Sequence, residues 1–129
     1  MPPIPLPTPS APAALGPYSP AVRAGDWVIL SGQVGLDPTD GRLVAGGVEA
    51  QARQIVANIA AVLGDCGSSL ASVAKTLIFL TDLGDFQVVN AIYADAFGDH
   101  RPARSTVQVA ALPGGAAVEI EVWAFSPDR

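Results

Sequence analysis

The apolar positions of this chain change their spacing several times, and each change marks an element. Trp27, Val28, Ile29 and Leu30 form an apolar run just after Ala24-Gly25-Asp26, a turn-forming set, and Tyr18 to Arg23 precede it. This predicts a hairpin of two short strands. Asp37 to Arg42, reading DPTDGR, is dense in turn formers and marks a surface loop. From Val48 the spacing becomes helical, with Val48, Ala52, Ile55, Ile59 and Val62 three or four residues apart. A helix over 47–66 follows, with Gly67 placed to end it.

The stretch VAKTLIFLTD, ending at Asp82, is rich in strand formers. In DFQVVNAIYADAFG, Phe86, Val89, Tyr93 and Phe97 share one helical face, and Gly98 stops the helix. RSTVQVAAL and AAVEIEVWAF then alternate as strands do. Arg104, Thr106 and Gln108 face one way, and Ser105, Val107 and Val109 the other. Val118, Ile120 and Val122 oppose Glu119, Glu121 and Trp123. Gly114-Gly115 joins the two strands.

The predicted order is β-β-α-β-α-β-β, an α+β domain whose two helices pack on one face of a mixed sheet. The other face would carry Trp123, Val28 or Leu30, so a second subunit is expected to cover it. Ahead of this domain, assigned to residues 14–129, lies a Pro-rich arm, residues 1–13. Six of its residues are proline, each lacking an amide donor. The arm is expected to be extended, with Ile4 and Leu6 either docked on a neighbour or frayed.

Composition narrows the functions available. The 129 residues are 50% apolar, enough for one domain. Twelve acidic residues against seven basic ones give a formal charge of -5. No stretch gathers Lys or Arg as a phosphate backbone would require, so nucleic acid is not the expected partner. Neither a secretory leader nor a run long enough to cross a membrane is evident, and Cys66 is the single cysteine. These features predict a cytoplasmic protein without membrane association.

His100 is the single histidine, so no Cys/His zinc set exists, and no glycine loop for phosphate appears. Arginine and carboxylate remain. Arg104 opens a strand beside two hydroxyl residues, and its planar fork suits the carboxylate of a small acid; a rim ion pair with Glu119 or Glu121 is the alternative. Glu119 can serve as a general base, or simply lie on the polar face of an edge strand. Asn90 interrupts the apolar side of the second helix, either to make an internal hydrogen bond or to meet a ligand. Tyr18 is likewise either a packed ring or a hydroxyl aimed at a ligand. Lys75 reads as a solvated lysine, His100 as a loop histidine, and Cys66, with no cation at helical spacing, as inert.

The segments GPYSPAV, LSGQVGLDPTDGRLV, QARQIVANIAAVL, VAKTLIFLTDLGDFQVVNAIYADAF and PARSTVQVAALPGGAAVEIEVWA resemble, in this order, the motifs of the Rid proteins, the reactive intermediate deaminases. The resemblance runs from about Ala11 to Phe125, and PARS followed by EIE is its specific part. It implies a chorismate-mutase-like α+β fold and a homotrimer with a cleft between each pair of neighbouring subunits. Members hydrolyse 2-imino acids to 2-keto acids and ammonia, without a metal or organic cofactor. Arg104 takes the position of the arginine that holds the substrate carboxylate. Glu119 takes that of the glutamate that activates water. Tyr18, Ser31, Asn90 and Thr106 line the same cleft.

Two departures bear on specificity. Thr106 stands where many deaminating members have Cys, and Arg101 stands before Pro102, where an aromatic residue is common. Arg101 either admits a dicarboxylic or larger acid or lies in solvent. Competing functions are a regulatory trimer that binds a keto acid without turnover, and a hydrolase dedicated to one pathway's imine or enamine. Endoribonuclease activity is also associated with the family, and the acidic balance argues against it here.

Overall fold

A computed structural model describes residues 2–127. Nine elements follow in chain order: β1 (Ile4–Pro5), β2 (Ala21–Ala24), β3 (Trp27–Leu30), β4 (Gln33–Val34), α1 (Gly47–Asp65), β5 (Val73–Leu80), α2 (Phe86–Phe97), β6 (Ala103–Gln108) and β7 (Val118–Phe125). The sheet runs β1-β2-β3-β7-β5-β6, with β4 also on β7. Only β5 and β6 are parallel, and α2 makes the crossover between them. This is the mixed α+β order that the hydrophobic pattern predicts, with two short additions.

The first addition is β4. Trp27–Ile29 pair with Phe125–Trp123, whereas Gln33 and Val34 pair with Ile120 and Glu119, a register displaced by one residue. Ser31 and Gly32 therefore oppose Glu121 together, as in a β-bulge, and one predicted strand becomes β3 and β4. The second addition is β1, formed by the Pro-rich arm. Ile4 and Pro5 pair with Arg23 and Val22 at the sheet edge, where a missing amide donor is tolerated. Leu6 N–H donates to Ala21 O at 3.1 Å. Ser10 then binds Asp65 through both its amide and its hydroxyl, at 2.8 and 2.9 Å. The arm thus docks on its own domain, and Ser10 meets a carboxylate that the C-terminus of α1 would otherwise disfavour.

Helix α1 ends as its sequence requires. Gly67 adopts φ 73°, Ser68 N–H donates to Leu63 O at 2.8 Å, and Gly67 N–H to Gly64 O at 3.1 Å. That pair of bonds is a Schellman closure, which needs a left-handed residue at Gly67. Ala52, Ile55, Ile59 and Val62 pack beneath the sheet with Val89, Ile92 and Tyr93 of α2. Against them lie Thr76, Ile78 and Leu80 of β5 and Val118, Ile120 and Val122 of β7, all buried.

Strand periodicity sends the alternate residues to the face without helices. Lys75, Leu77 and Phe79 stand there, with Val107 and with Glu119, Glu121, Trp123 and Phe125. Trp27 packs edge-on against Phe125 and Trp123, at 5.1 and 6.4 Å between ring centroids. Yet Trp123 remains 39% exposed, Val107 42% and Phe125 47%, whereas Val28 and Leu30, expected on this face, are buried in the core on the helix side. No helix among the described residues is long and apolar enough to cross a membrane.

Candidate active site

Arg104 begins on the helix side of β6. Its register partner Thr76 is fully buried on that side, so the Arg104 side chain rises toward α2. There the guanidinium lies over the Tyr93 ring at 4.9 Å and the Phe86 ring at 5.6 Å. Tyr93 is fixed in turn by a buried 2.9 Å hydrogen bond between its hydroxyl and that of Thr76. Stacking of this kind is worth about 0.5–1 kcal/mol at a partly wet site, less than one charge-assisted hydrogen bond of ~1.5–3 kcal/mol. It orients the guanidinium without saturating its donors. The single ion pair among the described residues joins Arg53 to Glu49, so Arg104 has no carboxylate partner there.

Arg104 lines a concavity of about 310 Å³ with Asn90, Tyr93, Ala94, Arg101 and Pro102. Asn90, half-buried on α2, lines this space. Thr106, two residues along β6, pairs with Ile78; its Oγ1 is buried and has no hydrogen-bond partner among the described residues.

Glu119 belongs to a different concavity, of about 260 Å³, lined by Tyr18, Leu15, Gly32, Val34 and Pro113 among others. Its carboxylate occupies the space that a side chain at position 32 would need: a Cβ built on Gly32 collides with Glu119 Oε2. Burial, and secondarily the Glu121 carboxylate, push the Glu119 carboxyl above the usual value of 4.5. A carboxylate made more basic in this way is a better proton acceptor near neutral pH. The half-exposed Tyr18 ring borders the same space, and its hydroxyl accepts a 3.2 Å hydrogen bond from Leu15 N–H. Ser31 lines neither concavity. Its hydroxyl donates to Ser19 O at 2.7 Å and its amide to Pro20 O at 2.9 Å, which ties the Tyr18 loop to the bulge.

The predicted site residues therefore fall into two groups. Arg104, Asn90 and Thr106 stand on the helix side of the sheet's β6 edge. Glu119 and Tyr18 stand at the other concavity, with Ser31 supporting it. The rim ion pair between Arg104 and Glu119 or Glu121 does not form. Two contributors were not legible in sequence. Tyr93 reads as a core aromatic until the β5/β6 register places Arg104 over it. Gly32 reads as a loop glycine until β7 places Glu119 against it. No group of three His, Cys, Asp or Glu side chains able to hold a metal occurs among the described residues.

Strand order and the crossover helix define a chorismate-mutase-like α+β protein, with an arginine concavity on one face of its sheet and a glutamate concavity on the other. The chain belongs to the Endoribonuclease L-PSP family, the family of the Rid proteins, whose model matches residues 8–126. It is 49% identical over 117 residues to the 2-iminobutanoate/2-iminopropanoate deaminase of Mus musculus, covering 91% of this chain and 87% of that one. The crystal structure of RidA from an Antarctic Psychrobacter superposes with a TM-score of 0.89 at 46% identity, over 93% of this chain and 97% of that one. The YjgF gene product of E. coli superposes with a TM-score of 0.88 at 42% identity, over 94% and 97%.

Proposed function

We propose that this protein hydrolyses 2-imino acids, such as 2-iminopropanoate and 2-iminobutanoate, to 2-keto acids and ammonia, in clefts between the subunits of a homotrimer. The observation that carries the reading is Arg104, a guanidinium without an ion pair among the described residues, held over two aromatic rings at the wall of a concavity. Such a fork binds a carboxylate through two parallel hydrogen bonds. The placement of Glu119 on the opposite sheet face supports a cleft completed by a neighbour: Arg104 and Asn90 come from one subunit, Glu119 and Tyr18 from the next. The exposed Trp123, Val107 and Phe125 on the open face supply an apolar surface for that assembly. The mouse relative named for this reaction supports the substrate class.

The chemistry needs little beyond position. The carbon of a C=N bond is electrophilic, more so when the nitrogen is protonated. Arg104 fixes the carboxylate next to that carbon, and Asn90 adds a hydrogen bond beside it. Glu119 accepts a proton from water as the water oxygen bonds to the imine carbon, giving a carbinolamine. Return of that proton to nitrogen makes ammonia the leaving group, and the C–N bond breaks as C=O forms while the carbinolamine hydroxyl gives its proton to the regenerated Glu119 carboxylate. One water is consumed and one ammonia released, with no electron transferred. The ligand is a small acid rather than a nucleic acid, in keeping with a net charge of -5. A cytoplasmic setting suits a chain whose single cysteine can form no internal disulfide.

The test generates 2-iminopropanoate or 2-iminobutanoate in situ with an amino-acid oxidase and follows its loss against spontaneous hydrolysis. Acceleration is expected from the wild-type protein and its loss, by about 10²-fold or more, in Arg104→Ala and Glu119→Gln. Equal rates with and without protein overturn the proposal. Saturable 2-oxobutanoate binding that Arg104→Ala abolishes, without any imine hydrolysis, identifies a binding protein instead.

A further inference from the structure

The Arg104 concavity is lined by a second arginine, Arg101, and by no carboxylate among the described residues. This is an unusual local charge in a chain of net charge -5 with seven cationic residues. Arg101 is exposed at the rim of this concavity, but its side chain is tethered. Its Nη1 donates to two carbonyls of its own loop, Gly98 O and, at 3.0 Å, His100 O. These two bonds restrain a side chain that otherwise loses up to about 2 kcal/mol of rotamer entropy when it grips a ligand. Its Nε and Nη2 make no hydrogen bond to any described residue, which leaves an edge of the fork open for a bidentate anion. Neither Asp99, two residues away, nor any other described carboxylate pairs with it.

The loop that carries Arg101 is held in place. His100, between Asp99 and Arg101, shares a 2.6 Å hydrogen bond between its Nε2 and Val73 O, and its ring lies 6.1 Å from that of Phe97. Pro102 fixes the next backbone dihedral before β6 begins. At most about 10 Å of extended chain separates the Cα atoms of Arg101 and Arg104. Both long side chains border the same space, so the pair suits a short ligand with a carboxylate at each end.

We infer that Arg101 is a specificity-determining residue that favours 2-imino dicarboxylic acids, with Arg104 holding the carboxylate beside the imine and Arg101 the distal one. The inference rests on the deaminase reading for the reaction, while the anion pairing stands on the two arginines alone. In a monocarboxylic substrate, the space under Arg101 receives an alkyl group that leaves its guanidinium without an anion. In a dicarboxylic one, the second carboxylate is met by a restrained, charge-matched fork.

The experiment compares wild type with Arg101→Gln on 2-iminoglutarate and 2-iminobutanoate, both generated in situ. In parallel, calorimetry measures binding of 2-oxoglutarate and 2-oxobutanoate. The wild type is expected to favour the dicarboxylic imine in kcat/KM. Arg101→Gln is expected to lower the ratio of the two kcat/KM values about tenfold, chiefly through KM, and to lower the preference for 2-oxoglutarate in binding equally. Hydrolysis of 2-iminobutanoate with a ratio that Arg101→Gln leaves unmoved overturns the role of Arg101 and spares the deaminase reading. Absence of hydrolysis, with a 2-oxoglutarate preference that Arg101→Gln abolishes, overturns that reading and sustains the Arg101 assignment.

Discussion

Arg104 and Glu119 lie on opposite faces of one sheet, on the two strands that flank β5. Thr76, the partner of Arg104, faces the helices, and Phe79, the partner of Glu119, faces away. Thr76 and Phe79 are three positions apart on one strand, an odd offset that sends their side chains to opposite faces, so no rotamer change brings Arg104 and Glu119 together within a chain. A site that uses both must borrow one from a neighbour.

This geometry makes a mixing experiment decisive. Arg104→Ala and Glu119→Gln are each expected to be inactive alone. Co-refolded in equal amounts, they place an intact Arg104 opposite an intact Glu119 in about one quarter of the clefts of a cyclic oligomer. Imine hydrolysis should therefore return to roughly 25% of the wild-type rate per cleft, by the same symmetry argument. A mixture as inactive as its components would sink the shared cleft.

Glu119 sets activity against stability. Burial and Glu121 hold its carboxyl above 4.5 in the folded chain, so the folded protein binds a proton that the unfolded chain has already lost. The stability linked to that proton is complete below the unfolded value and is lost as pH rises through the folded one. At pH 7 the ionised Glu119 is therefore a cost that a glutamine does not carry. Glu119→Gln should melt above the wild type at pH 7, and the gap should close below pH 4.5, as followed by circular dichroism. In the wild type, the acid limb of the activity profile should sit above the ordinary carboxyl range. A limb at or below 4.5 contradicts this account.

Gly32 is the room into which that carboxylate extends. Gly32→Ala places a methyl on Glu119 Oε2, the free end of a flexible side chain, so the chain should fold with Glu119 turned aside. Activity should fall about 10- to 100-fold, the cost of misplacing a reacting group by roughly 1 Å, with Tm nearly unchanged. Wild-type kcat/KM in this variant would show that Glu119 does not act from the observed position.

Much of this was legible in the chain, and the exceptions share a cause. Gly67 after a helical pattern foretold the Schellman closure, and the alternation of Arg104, Thr106 and Gln108 foretold their common face, because both are local. The bulge at Ser31-Gly32 was not legible, since a one-residue slip exists only relative to β7. The stack of Arg104 on Tyr93 depends on parallel pairing across a crossover helix, a contact no short window contains. Six prolines pointed to an unpaired arm, yet an edge strand needs so few donors that Ile4 and Pro5 form one.

Thr106 Oγ1 is buried and unpaired among the described residues, which makes its hydroxyl a standing cost. Valine has nearly the same shape and no group to desolvate. Thr106→Val should stabilise the protein by about 1 kcal/mol, raising Tm by roughly 2–6 °C for a domain of this size. Thermal denaturation reads this directly. A lower Tm would mean that the hydroxyl finds a partner in the assembled protein.

Trp123 tests the assembly itself. It stands on the open face, edge-on to Trp27, 39% exposed, with its Nε1 donating to Glu121 Oε2 at 3.2 Å. Trp123→Glu keeps the strand and its core face, where Val122 and Ala124 remain buried, but sets a second carboxylate beside Glu121. An interface that buries this face would then bury two unpaired charges per subunit, a cost of several kcal/mol for each ion. The variant should therefore sediment as a folded monomer, with a native far-ultraviolet spectrum and no imine hydrolysis. A Trp123→Glu protein that remains oligomeric and active would exclude the open face from the interface.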